Sequence, residues 1–349
     1  MKIQIAILIL LVHTYASRNE WHHQKEWCKS PETTADWWKS LMNILMIKET
    51  VGAGNNGQAY LIDKIQSMPS ELPPTMLIKM MNMKSDALKQ ALFDNELSAM
   101  KAIEPYGVSP KFHKCYAVKD DKEEEHMDYL IMDYINGKPL NDSEFLEHVV
   151  AQEVQAMSLW MQLFRAIQAL RKEDIVHGDI KLDNVMAHNN FKLLQLIDFG
   201  CAGKQGNERM GFSGSPYYIS PAKLQGKPVD IMDDIYAGVI TILMAHASSP
   251  LEDEESDKTF SQENSTKRLF YHEQGGKYIP IGKMCFLAKR TEDCQKKIVE
   301  NAKTVLEKAG YGKYEKSDGK SYPNFTSLFI DIISFKNPFK DLNDIIKHL

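Results

Sequence analysis

The chain has no basic excess: 42 Lys and Arg stand against 47 Asp and Glu, a formal net charge of −5. That balance removes the long-range attraction that holds a nucleic-acid backbone, so no nucleic-acid partner is expected. Cysteine is scarce, and the five residues, Cys28, Cys115, Cys201, Cys285 and Cys294, are widely spread. Such spacing excludes a dense disulfide framework, and an odd count leaves at least one thiol unpaired. Cys285 and Cys294 are the expected pair, being close in sequence. There is no internal repeat, and beyond the N-terminus no apolar run approaches the ~20 residues that span a bilayer.

What is present begins with "MKIQIAILILLVHTYAS", in which Lys2 precedes an apolar run from Ile3 to Val12, with Thr14 and Ala16 ahead of Ser17. This is the layout of a cleaved secretory signal over residues 1–16. A membrane anchor is the alternative, for which the run is short. The mature chain is therefore expected to be soluble, without a membrane span, and secreted or in the secretory-pathway lumen. There the sequons at Asn141, Asn264 and Asn324 become glycosylation candidates. Asn141 has a rival reading, as a helix N-cap with Glu144 three residues on.

A chain of 349 residues with 43% hydrophobic and 26% charged content can build a sizeable core, as one large two-lobed unit or two domains. Residues 17–45, with Trp21, Trp27, Trp37 and Trp38, form an N-terminal extension. From Met46 the pattern turns to strands, "MIKETVGAG", "QAYLIDKI" and "TMLIKMM", then a helical run "SDALKQALFDNELSAMKAI" and two more strands, "FHKCYAV" and "DYLIMDY". Beyond Asn136 the chain reads mainly helical, with Met157, Trp160, Met161, Phe164 and Ile167 at helical spacing as core. The polar stretch "LEDEESDKTFSQENSTK" predicts a solvated loop.

The chemistry lies near the junction of these halves. Gly52, Gly54 and Gly57 in "VGAGNNGQAY" form a Gly-X-Gly-X-X-Gly between two strands, where the backbone can turn tightly and bring amides to phosphate. Alone the pattern is weak, and a dinucleotide fingerprint would need a helix to follow it. Lys79 ends the apolar run "MLIK", and Glu96 on the next helix is its natural partner. Taken singly, both are equally readable as solvated surface. "HGDIKLDN" followed by "LIDFG" sets Asp179, Lys181, Asn184 and Asp198 on two loops around a short strand pair. Asn184 and Asp198 offer the oxygen atoms magnesium prefers, leaving Asp179 to accept a hydroxyl proton.

In this order of motifs, from about Met46 to the C-terminus, the sequence resembles the eukaryotic protein-kinase superfamily of the serine/threonine type. The resemblance implies an α+β, bilobal fold, with a small antiparallel-sheet N-lobe carrying one helix (46–135) and a larger, mainly helical C-lobe (136–349). It implies ATP and magnesium as cofactors and a protein with a Ser or Thr acceptor as partner. By the same resemblance Lys79 orients the nucleotide phosphates and pairs with Glu96, Asp179 is the catalytic base, Lys181 steadies the transferred group, and Asn184 and Asp198 hold the metal. The nucleotide would be lined by Gly52, Ala53, Gly54, Gly57, Ala59 and Leu77, with Met132 at the rear, Asp133 and Ile135 as hinge and Met186 as floor. Substituting Lys79 or Asp198 is expected to abolish transfer at little cost to the core. Asp233 in "DDIYAG" would anchor the catalytic loop, and "GSPYYISPA" would end the activation segment. Asp133 and Asp183 suggest a preference for basic peptides.

Three departures qualify the resemblance. Ala59 and Leu77 replace the usual Val and Ala of the pocket roof, a swap that conserves volume. Ala222 replaces the Glu that ends the activation segment, and the C-terminal "NPFKDLNDIIKHL" lacks the Arg that would meet it. Losing both members of such a pair is near neutral, whereas losing one is not. Gly178 stands where an Arg would receive an activation-segment phosphate, so that switch is missing and activity should not require phosphate on Ser213 or Ser215. Two rivals remain open: a small-molecule phosphotransferase of the aminoglycoside or choline kinase type, and a secreted pseudokinase acting as a binding module.

Overall fold

The computed structural model describes residues 46–54, 57–64, 73–82, 87–119, 126–206, 215–224, 226–249, 259–274, 277–280, 292–316 and 324–334. The expected signal segment, the tryptophan-rich stretch after it, Ser213 and Cys285 fall outside them, as does the side chain of Cys294. The described residues form two compact units, one running up to Ile135 and including Asp198–Ala202, the other made of Asn136–Ile197 and the residues from Gly203 onward.

The first unit is an antiparallel sheet of β1 (Met46–Gly54), β2 (Gly57–Asp63), β3 (Thr75–Asn82), β4 (Phe112–Lys119) and β5 (His126–Asp133), in the order β1-β2-β3-β5-β4. The period of two is plain in β3, where Met76 and Ile78 are fully buried on one face while Leu77 and Lys79 point to the other. Register then fixes that second face: Ala59 lies opposite Lys79, Leu61 opposite Leu77, Met132 opposite Leu77 and Leu130 opposite Lys79. Helix α1 (Ala87–Ile103) buries Phe93, Leu97, Met100 and Ile103 at the spacing of one helical stripe. Cys115 on β4 is buried and disulfide-bonded. Cys201 is a half-buried thiol that takes no part in a disulfide.

The second unit is mainly helical: α2 (Ser143–Ala151), α3 (Glu153–Lys172), the short α4 (Pro221–Leu224), α5 (Ile231–His246), α6 (Gln262–Phe270), α7 (Glu292–Lys308) and α8 (Phe325–Ile333). Helix α5 is buried at every position but Met232, as a helix apolar on all sides must be. Around it Trp160, Phe164, Phe270 and Phe329 are fully buried. Short strands complete the unit: β6 (Gly137–Pro139), β8 (Val185–His188) and β9 (Leu193–Leu196) in one sheet, β7 (Ile175–Val176) with β10 (Gly203–Lys204), and the pair β11 (Tyr271–Gln274) and β12 (Lys277–Pro280).

Two local expectations are corrected. Helix α2 is capped by Asp142, whose carboxylate accepts the Glu144 N–H at 3.0 Å, and not by Asn141, whose amide instead donates to Asp183 at 2.8 Å. The polar stretch around residue 260 is not all loop, because α6 starts at Gln262 with Ser261 as its N-cap. Its polar residues are buried by hydrogen bonding: Asn264 Nδ2 donates to the carbonyls of Thr259 and Ser248, and Ser265 Oγ to Met244, which a count of apolar residues does not register.

Candidate active site

One cluster of the expected site residues lies wholly within the first unit. Lys79, projected by the alternation of β3, bonds both Glu96 oxygens at 2.9 and 2.6 Å and Asp198 Oδ1 at 3.0 Å. The Glu96 side chain is only 3% exposed. Burial alone would lower the Lys79 pKa, but Glu96 and then Asp198 outweigh it, so the ammonium is held well above its usual range. Next to Glu96, Asn95 Nδ2 donates to the Gly200 carbonyl at 3.3 Å, and Phe199 is fully buried, so α1 fixes the segment that carries Asp198. Asp198 itself adopts φ 59°, a left-handed conformation unusual for a non-glycine residue.

The expected nucleotide-lining residues of this unit fall on the same sheet region. Gly52, Ala53 and Gly54 end β1, Gly57 opens β2, and Ala59 and Leu77 share the Lys79 face with Met132. Of the glycines, Gly57 is the one that sterics demand: its φ is 115°, and a Cβ there would collide with the Met80 carbonyl, whereas one on Gly52 would meet open space. Asp133 and Ile135 follow Met132, and Asp133 is already paired with His113 at 2.6 Å.

A separate cluster lies wholly within the second unit. Asp179 Oδ2 accepts Lys181 Nζ at 2.8 Å and Asn184 Nδ2 at 3.0 Å, and Oδ1 accepts Ser215 Oγ at 3.0 Å. Lys181 also reaches Ser215 Oγ at 2.9 Å, so the serine of "GSPYYISPA" closes a ring with acid and ammonium. His177, fully buried, takes the Asp179 N–H on Nδ1 at 3.3 Å and meets the Ile197 carbonyl through Nε2 at 3.1 Å. Met186 sits half-buried on β8, opposite Gln195 of β9.

The acid that anchors the loop carrying Asp179 is Asp234, not the expected Asp233. Asp234 accepts the backbone N–H of His177 at 2.6 Å and of Gly178 at 2.9 Å. Burial pushes its carboxyl above the ordinary range, opposed by His177 and those two amides. Asp233 is committed to a capping box with Asp230 at the start of α5 and accepts Ser220 Oγ. The spacing Asp230-X-X-Asp233 is itself a helix-start signature, the signal that would have separated the two acids in advance.

Within the second unit Asn184 spends its amide nitrogen on Asp179, leaving its side-chain oxygen as the atom a hard cation would take. Within the first unit the Asp198 carboxylate is a donor of the same hard-oxygen kind. Among the described residues no cluster of three or more His, Cys, Asp or Glu could hold a metal alone. The remaining ligands would have to be oxygens of a nucleotide and water, as magnesium prefers.

The sequence model of the protein kinase domain matches residues 45–309. Serine/threonine-protein kinase CLA4 of Candida albicans is 28% identical over 218 residues, 61% of this chain and 21% of that protein. Serine/threonine-protein kinase shk2 of Schizosaccharomyces pombe is 26% identical over 209 residues, 58% and 34% of the respective lengths. Human calcium/calmodulin-dependent protein kinase type 1B is 26% identical over 228 residues, 64% and 63%. The chain thus spans less than two thirds of the length of these relatives.

Proposed function

This chain belongs to the protein kinase family, and from that premise we propose that it is a secreted serine/threonine protein kinase, transferring the γ-phosphate of ATP to a protein hydroxyl. The observation that carries the reading is Asp179 bonded at once to Lys181, Asn184 and Ser215. Asp179 accepts the proton of the acceptor hydroxyl; Lys181 supplies charge to the transferred group; Ser215 brings the docking segment to the same carboxylate. Lys79, held by Glu96, orients the nucleotide phosphates. Magnesium held by Asn184 and Asp198 would neutralise phosphate charge. Alignment and charge compensation are all that a loose transition state asks of the protein.

The Lys181–Ser215 contact favours a peptide acceptor over a small molecule, because the segment Ser215 belongs to is one on which a peptide would dock. The intact set of catalytic side chains weighs against a pseudokinase. A basic-directed preference has weaker support, since Asp183 bonds Asn141 and Asp133 bonds His113.

The secretory location rests on the N-terminal signal pattern and on the disulfide at Cys115. Asn264, buried with its amide donating to two carbonyls, is a poor glycan acceptor in the folded chain. The deciding experiment incubates mature protein with labelled ATP, magnesium and mixed protein substrates beside Asp179→Asn. Label on serine and threonine that vanishes in the variant is expected; label confined to small molecules, or none, overturns the reading. Non-reducing peptide mapping of exported protein should find Cys115 oxidised and Cys201 as thiol.

A further inference from the structure

The glycine at position 178 leaves its peptide short of constraint. Its φ is 79°, and without a Cβ it has more backbone freedom than any other residue would. Its carbonyl lies in the same rigid plane as the Asp179 nitrogen, so the tilt of that plane sets where the Asp179 side chain starts. Two side chains grip this peptide region. Asp234 takes the Gly178 N–H, and Lys223 Nζ donates to the Gly178 carbonyl at 3.3 Å.

Lys223 is an unusual residue for this task. It lies on α4, beside Ala222, and is only 2% exposed, whereas lysine is almost never fully buried without partners. Its charge acts on both Asp233 and Asp234, opposing the effect of burial on each carboxyl. Its backbone N–H donates to Ser220 Oγ at 3.0 Å, and Ser220 in turn donates to Asp233. A small pocket lies here, lined among others by Gly178, Tyr218, Ser220, Lys223, Asp233 and Asp234.

We infer that Lys223 is a positioning residue for catalysis: a buried lysine from the end of the activation segment whose Nζ pins the Gly178–Asp179 peptide and so aims the catalytic base. It does without a phosphate what a phosphate received by an arginine before the base would do, because its acceptor is a backbone carbonyl of the fold itself. The catalytic part of this inference rests on the kinase reading; the pinning does not.

The test compares wild type, Lys223→Met and Lys223→Arg by amide hydrogen exchange at residues 177–181, with α3 amides as internal reference, and by kcat and KM for peptide and ATP. In Lys223→Met, exchange protection at 177–181 and kcat should each fall about ten- to a hundred-fold, the range for losing a charged donor to a buried carbonyl, with the KM for ATP unchanged. Lys223→Arg should keep both within about threefold, since it retains charge and donors. Unchanged protection in Lys223→Met overturns the inference, as does an equal loss across α3, which would mark a purely structural lysine. Should Lys223→Met fail to fold, Lys223→Gln, which keeps a donor without charge, takes its place with an intermediate loss expected. A wild type that transfers no phosphate refutes the kinase reading, while the exchange measurement still decides the pinning.

Discussion

Asp234 accepts the backbone N–H of Gly178 at 2.9 Å, while its neighbour Asp233 serves the helix start and Ser220. The two acids should therefore separate on substitution. Asp234→Ala strands two buried amide donors, about 1.5–3 kcal/mol for each charge-assisted bond, and should cost both stability and kcat. Asp233→Ala should lose only about 1 kcal/mol, the value of a helix cap. Denaturant melts and steady-state rates of the pair check this; equal losses would return the anchor to Asp233.

Lys79→Met should abolish transfer and also destabilise the fold, contrary to what position alone suggests. Glu96, 3% exposed at its side chain, would be left as an uncompensated buried charge, costing about 3–5 kcal/mol. Asp198→Ala, at a side chain 29% exposed, should abolish transfer with a much smaller shift in Tm. Adding Glu96→Gln to Lys79→Met should recover most of the lost Tm without activity.

Gly57→Ala should weaken ATP binding about tenfold and cost about 1–3 kcal/mol, because a side chain must hold a rare φ and displace the Met80 carbonyl. Gly52→Ala should melt as wild type does, its Cβ meeting open space. Nucleotide titration and thermal melts of both variants are the measurement.

His246 should make the second unit acid-sensitive. Burial pushes its pKa down to about 4, and Nε2 accepts the Tyr311 hydroxyl at 2.8 Å in the neutral ring. The unfolded chain, titrating near the ordinary value of about 6.5, binds the proton first. Stability is then complete above that pH and falls as pH drops towards 4, by roughly 3 kcal/mol. Stability curves from pH 7 to 4 should be flatter for His246→Gln; parallel curves would remove His246 as the cause.

The sequence made legible whatever depends on periodicity or on a run of motif residues. The strands around Lys79 and Met132, the long helix through Trp160 and the Asp179–Asn184 loop all lie where their patterns predict. What it hid depends on which of two neighbours a turn presents. Asn141 against Asp142, and Asp233 against Asp234, differ by one residue, and side-chain chemistry cannot rank equals until the helix start is fixed. Helix α6 was hidden because it buries Asn264 and Ser265 through hydrogen bonds. Lys223 was hidden because burial of a lysine is decided by carboxylates and carbonyls that come from elsewhere in the chain.

The stretch Asp198–Ala202 belongs to the first compact unit although the sequence reaches it only after Ile197 of the second. Lys79 holds its acid and Asn95 its glycine carbonyl. Recombination at the Ile135–Asn136 boundary would thus part Asp198 from the lysine that shaped its setting. A chimera that exchanges the residues up to Ile135 with a relative's should work only when residues 198–202 are inherited from the same parent.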